Sequence, residues 1–192
     1  NQYFDFAGTI QTGFEMIDHY NRYFFQDLLV DGDVTFTNVA TLYGPASLRI
    51  TGDVHTADTS WTTGSLTGGT IVHLVGAGDQ HLSGSGMLGH VHVAKTGGSV
   101  ALDNDIIFKQ HFTGNGTLVG PGTFLSSHNQ YFDFAGTIQT GFEMIDSYNR
   151  YFTQDLLVDG DVTFTSVATL YGPGFLRITG GVHAADTSWT SG

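Results

Sequence analysis

Aspartates offer the first candidate chemistry in this chain. Asp31 and Asp33 flank Gly32 in the stretch VDGDV, and Asp159 and Asp161 flank Gly160 in the same five letters. Two carboxylates on one tight turn gather oxygen ligands that suit a hard cation, calcium above all. Calcium takes about six to eight oxygens, so a neighbouring segment would have to complete the shell. The plainer reading is an Asp-Gly turn with solvated carboxylates. Residues 76–84, GAGDQHLSG, carry part of the glycine-rich nonapeptide of a calcium-binding β-roll. Their aspartate is displaced and the pattern is not sustained, so chance is the better account in a chain with 27 glycines.

Imidazoles come second. His90 and His92 stand two apart, and with His73, His81 or His111 on adjacent segments they could hold zinc or copper. If HVHVA is a strand, alternation turns Val91 and Val93 inward and both histidines to solvent. Asp103, Asp105 and Lys109 are the residue types of an acid and base pair for polysaccharide cleavage. No carboxylate pair with a basic residue recurs in both halves of the internal repeat described below, and the chain is read as non-enzymatic. Threonines alternate in VTFTNVATL (34–42) and TADTSWTTG (56–64), a rank that an ice-binding solenoid would use, although threonine suits any exposed strand face. Tyr3, Phe4, Phe6, Phe14, Tyr20, Tyr23 and Phe24 could stack on sugars or a partner fibre; the expectation is that they stack on one another, like on like.

These candidates need a scaffold, and the composition bounds it. The chain has 192 residues, 40% of them apolar, enough to bury a core. Six basic residues against eighteen acidic ones leave a net charge of -12, which disfavours nucleic acid and anionic membrane surfaces as partners. Only 12% of residues are charged, so the surface is polar without being ionic. There is no cysteine, which excludes disulfides and thiolate metal sites, and no apolar run approaches the ~20 residues of a membrane span.

The organisation is repetitive. Residues 1–64 align without a gap with 129–192, and they differ at only eight of 64 positions: His19/Ser147, Phe25/Thr153, Asn38/Ser166, Ala46/Gly174, Ser47/Phe175, Asp53/Gly181, Thr56/Ala184 and Thr63/Ser191. Residues 65–128 form an intervening, diverged segment. An older layer appears at an offset of 52, where FTGNGTLVGPGTFLSS (112–127) lines up with FTSVATLYGPGFLRIT (164–179), suggesting a unit of about 50 residues and one extra stretch of roughly a coil. Short segments such as DVTFT, LRIT and TIVHLV alternate apolar and polar residues between Gly, Asp and Asn turns. FEMIDHYNRYFFQDLL could pass for an amphipathic helix, but its diverged counterpart contains Gly97-Gly98, so it is read as strands.

An all-β chain follows, either as closed sandwiches or as a parallel β-helix. The compound repeat begins at Asn1 and again at Asn129, an offset of 128 that makes the chain one and a half periods long. That decides for the solenoid, because coils touch only their neighbours and can be cut between them. The expectation is one continuous solenoid over 1–192, with coils of about 20–27 residues. Taking ~25 residues per coil, a period holds about five coils and spans ~24 Å, and the chain has seven or eight coils.

Gly78-Asp79-Gln80, the turn Ser83-Gly84-Ser85-Gly86, the strand from His90 to Val93, Gly97-Gly98, the strand around Asp105 to Phe108 and Asn115-Gly116-Thr117-Leu118 together resemble the repeats of large bacterial secreted surface proteins. These are the adhesin-like β-solenoids of autotransporter passengers and filamentous-haemagglutinin-type exoproteins. The resemblance implies a right-handed parallel β-helix outside the cell or at its surface, serving without catalysis as part of a filament, sheath or adhesin stalk. Its expected partners are copies of itself or further repeats of the same chain, head to tail, and surface polysaccharide. The competing expectations are a carbohydrate-binding or polysaccharide-degrading β-helix and a calcium-dependent or ice-binding solenoid.

Overall fold

The computed structural model describes residues 1–39, 41–57, 69–167 and 169–185. All regular structure among them is strand: 27 strands of two to six residues, and no helix that could cross a membrane. FEMIDHYNRYFFQDLL breaks into Phe14–Met16, Arg22–Phe24 and Leu28–Val30. Every strand pairing is parallel; an isolated bridge between Tyr43 and Gly69 runs the other way. The chain is therefore an all-β parallel β-solenoid, of about nine turns.

Each turn visits three faces in order. The first face carries a three-stranded sheet (Gln2–Phe4, Arg22–Phe24, Leu42–Tyr43) and later a six-stranded one, from Met87–Leu88 to Val182–Ala185. The two sheets hold the same place in the cycle, each preceding the second face. The second and third faces are nine-stranded, running from Gly8–Ile10 to Leu170–Tyr171 and from Phe14–Met16 to Leu176–Ile178. Short alternating triplets suit such faces: in Leu28–Val30 and Val34–Thr37 the inward residues Leu28, Val30, Val34 and Phe36 are fully buried and those between them are not.

Register fixes the length of the coil. Phe14 lies beside Val34, Val34 beside Val54, Leu28 beside Leu48, and Phe132 beside Phe152. The elementary unit is thus a coil of about 20, at the lower end of the expected range, and the unit at offset 52 is not a whole multiple of it: from Phe112 in His111–Asn115 to Phe164 in Val162–Thr165 it advances two coils and two faces. Around the diverged segment Val54 pairs with Leu82, a step of 28, so the surplus of eight is absorbed within one coil and no additional coil is inserted. Gln130–Phe134 is the seventh strand of the second face, six coils beyond Gly8–Ile10, which itself lies one face after Gln2–Phe4. The long period therefore advances six coils and one further face, not five coils.

The two near-identical copies consequently point in different directions. Arg22–Phe24 lies on the first face and Arg150–Phe152 on the second; Val34–Thr37 lies on the third and Val162–Thr165 on the first. At about 4.8 Å between stacked strands, a period spans ~30 Å and nine coils ~43 Å.

The interior is a stack of apolar rungs with phenylalanine prominent. Phe108 stacks on Phe124 at 4.2 Å, Phe132 on Phe152 at 5.0 Å and Phe4 on Phe24 at 4.7 Å between ring centroids. Corners are tight: at Gly44 and Gly172, φ is 116° and a Cβ would lie 2.0 Å from the carbonyl oxygen of Phe24 or Phe152 on the preceding coil. Only glycine fits there.

One corner is held by a buried cation. Arg150 donates through Nε to Ser126 Oγ (2.6 Å) and through its terminal nitrogens to the carbonyls of Ser126 (2.7 Å), His128 (2.6 Å), Ile145 (2.7 Å) and Tyr148 (2.9 Å), with Asp146 as counter-ion at 3.0 Å. Burial lowers its pKa and Asp146 opposes that shift. Its counterpart Arg22 donates to Tyr20 O and Ile17 O and its buried Nε has no partner. Arg150→Met should cost about 3 kcal/mol or more, because several buried acceptors lose their donor. Denaturant unfolding measures the loss, and one below about 1 kcal/mol would contradict this account.

Candidate functional site

The four aspartates of the VDGDV turns sit at exposed corners and face the next coil. Asp31 accepts from Thr51 Oγ1 at 2.9 Å, and Asp159 from Thr179 Oγ1 at 2.7 Å and Gln139 Nε2 at 3.2 Å. Asp33 accepts the backbone N–H of Asp53 at 2.8 Å, and Asp161 that of Gly181 at 2.6 Å. Each carboxylate thus ties its coil to a neighbouring one. Among the described residues no group of three or more His, Asp or Glu is placed to hold a metal ion.

The same device recurs at Asp27, Asp53 and Asp155, which the sequence did not mark as candidates, and at Asp79 and Asp105, which it marked for other chemistry. Asp27 accepts from Ser47 N, Asp53 from His81 N, Asp79 from Ser99 N and Asp105 from Thr123 N, all at 2.8 Å, and Asp155 from Phe175 N at 3.0 Å. A carboxylate beside a corner satisfies the N–H of the equivalent position one coil later, much as an N-cap satisfies a helix end. The backbone and hydroxyl donors of Ser99 lower the pKa of Asp79 below the ordinary range, the backbone bond contributing most. The signal in the sequence was the recurrence of Asp just before apolar triplets, read at the spacing of one coil.

The enzymatic trio is dispersed among these ties. Asp103 pairs with His81 Nδ1 at 2.9 Å, Asp105 holds Thr123 N, and Lys109 is buried in the wall, its pKa lowered by desolvation despite Asp146 nearby. A shallow concavity of about 410 Å³ is lined by His55, Gly84, Ser85, Asn104 and Asp105. Its polar groups also serve coil contacts: Asn104 Oδ1 accepts from Gly84 N at 2.9 Å and His55 Nδ1 lies 2.9 Å from Ser83 Oγ. Of the threonine ranks, Thr35 and Thr37 stand half-buried on the third face, while most of TADTSWTTG lies outside the described residues.

Aromatic side chains stack along the outside in columns. Tyr3, Tyr23 and Tyr43 follow one another on the first face at 4.9 and 5.1 Å, and Tyr131, Tyr151 and Tyr171 on the second at 4.5 and 5.2 Å. The second column continues through His111, 4.9 Å from Tyr131, to His90, 4.7 Å from His111. Ring faces are therefore largely taken by neighbouring rings, as expected for Tyr3, Tyr23, Phe4 and Phe24, whereas Phe6 and Tyr20 are exposed. Beside this column runs another, Arg49, His73, His92, Thr113 and Asp133, in register. His92 Nδ1 lies 2.8 Å from Thr113 Oγ1.

Val91 and Val93 point inward as expected, but His90 is not a solvent-facing residue: only 8% of it is exposed. The stacked His111 ring helps to cover it. Burial, reinforced by the neighbouring His111, pushes the pKa of His90 down to about 4. Burial also lowers His73, with His92 and Arg49 adding to the effect, and lowers His111. His81 moves the other way, raised by its hydrogen bond to Asp103.

Compared with known families, curated proteins and solved structures, the chain matches none. Its class rests on the coil itself.

Two outcomes follow from this geometry. Asp33→Ala strands one corner N–H and should cost about 1 kcal/mol. Millimolar calcium should leave the melting midpoint of the native chain unchanged, since these carboxylates already have donors; a clear rise would place calcium at these turns. For His90 the folded pKa lies below the unfolded value near 6.5, so the unfolded chain binds the extra proton between them. Stability is full above pH ~6.5 and declines towards pH ~4, by roughly 3 kcal/mol from this residue. His81 contributes with opposite sign but is exposed, so its effect is small. Melting curves from pH 4 to 7.5 should show that slope, and His90→Phe should flatten it.

Proposed function

We propose that the chain is a structural spacer: a stretch of extracellular filament, sheath or adhesin stalk that spans distance by coil stacking and has no catalytic role. The observation that carries this reading is the rotation of each period by one face. A surface that binds ice or a long polysaccharide needs the same side chains along one side of the rod. Here the tyrosine column of the first copy lies on the first face and that of the second copy on the second. Near-identical sequence is used to repeat the interior, while each copy's exterior is turned to a new side. Placement outside the cell follows from the resemblance of the repeats to secreted surface proteins.

Identical residues differ in burial according to whether a neighbouring coil covers them. Val54 is fully buried beneath the next coil, whereas its counterpart Val182 is 60% exposed. Phe134 is fully buried and its counterpart Phe6 is 58% exposed. A neighbouring coil makes that difference. The strand starts at Gln2, Gly8 and Phe14 are spaced as the register positions Leu170, Leu176 and Val182 are, six apart each time. A coil of the first kind laid on the second in register would bring Tyr3 to Tyr171, Ile10 to Ile178, Phe14 to Val182 and Glu15 to His183. Further repeats of one polypeptide, or copies of the chain head to tail, extend the rod in this way.

Electron microscopy of the native material tests the proposal. Filaments should show an axial spacing of ~30 Å per period and a true repeat of three periods, 19 coils or ~91 Å, because three faces restore the starting direction. Isolated compact particles would overturn it. The mass of the denatured native chain then separates continuous polypeptide from assembled copies.

A further inference from the structure

The second face holds chemistry that a spacer does not require. His90 and His111 lie on adjacent coils, each one residue before the paired Val91 and Phe112, with ring centroids 4.7 Å apart and planes inclined at 67°. The Nε2 atoms of both are buried and have no hydrogen-bond partner. His90 is more than nine-tenths buried, at 8% exposure, and both rings line a pocket of about 210 Å³ together with Ile71, Val91 and Thr113. Buried polar atoms are ordinarily satisfied, and an unused pair aimed around one cavity calls for a ligand. Burial holds both imidazoles below their ordinary pKa, so at neutral pH each offers a free lone pair.

The ring spacing, set by the coil stacking, is one that a single ion can bridge. An ion binds imidazole nitrogen at about 2.0 Å and the ring centre lies roughly 1.1 Å beyond, so two imidazoles on one ion at 90–109° have centres about 4.4–5.1 Å apart. The observed separation falls inside that window. No third His, Asp or Glu completes the shell among the described residues, so the remaining positions belong to water. That excludes a closed structural zinc site and favours the ion with the highest affinity for a pair of imidazoles. We propose that His90 and His111 form an open, two-imidazole site for a borderline divalent transition ion, copper(II) in preference to zinc. Thr113 supports the site from outside the shell: its hydroxyl lies 2.8 Å from His92 Nδ1 and donates to Val91 O at 3.4 Å.

Titration calorimetry of the full chain at pH 7.5 with copper(II) alone, and with magnesium as the hard-ion control, tests the site. The expected result is one copper ion per chain at micromolar affinity, no response to magnesium, and an electron paramagnetic resonance spectrum with two nitrogen couplings. His90→Phe and His111→Phe should each weaken binding at least tenfold, whereas His73→Phe, in the adjacent column, should leave it unchanged. His111→Tyr copies the ring that follows in the same column and supplies a folded variant if a phenylalanine variant fails to fold; it too should lose the ion. Undiminished one-to-one binding in folded His111→Tyr, or loss in His73→Phe alone, would overturn the proposal, as would equal uptake of magnesium.

Discussion

Everything in this rod depends on one requirement: a backbone N–H on one coil must meet a carbonyl on the coil beside it. Asp31 N bonds to Ile10 O at 2.8 Å, Thr51 N to Val30 O at 3.1 Å, Asp159 N to Ile138 O at 2.7 Å and Thr179 N to Val158 O at 3.1 Å. Parallel strands in register place each side chain over its equivalent, so the coil length fixes which residues touch. Like stacks on like, which is favourable for Phe and Tyr and unfavourable for charge. A chain with few charged residues follows from this, and so does the use made of its aspartates. Where a carboxylate stands at a corner, a backbone N–H of the next coil stabilises it, as Ser99 does for Asp79.

The fold class was legible because period-two triplets between turn residues have few other uses. Coil length was legible only as a range of about 20–27 residues, with the observed 20 at its lower end. Phe14, Val34 and Val54 occupy one column, as do Gly8, Leu28 and Leu48. Stacking demands an apolar or small residue at each rung and not the same one, so the elementary coil leaves little identity between successive turns. The long-range copies preserve letters and drew attention to offsets of 128 and 52 instead.

The candidate sites divide along the same line. Alternation correctly turned Val91 and Val93 inward, but it states only which side of a sheet a residue takes, not what covers that side. His90 is buried from outside by the ring of His111 on the adjacent coil, and its Nε2 is left without a partner. The corner aspartates are candidate metal ligands because Asp-Gly-Asp concentrates oxygen locally. Their donors come from the next coil, at a distance along the chain that only the register reveals.

The period of six coils and one face separates two kinds of sequence. The near-verbatim segments rebuild the same apolar interior, and their exterior revolves around the axis, so selection on their outward side chains cannot produce one continuous active surface. Six of the nine histidines lie in the diverged segment between them: His73, His81, His90, His92, His111 and His128. Imidazole is thus gathered in the diverged segment, and it meets in columns because the register sets His73 beside His92 and the stacking sets the His90 ring against that of His111. A stacking rule that forbids most charge on the surface still permits imidazole, which is neutral at pH 7 and stacks as a ring. Within this architecture, histidine is the residue that can carry both structure and reactivity.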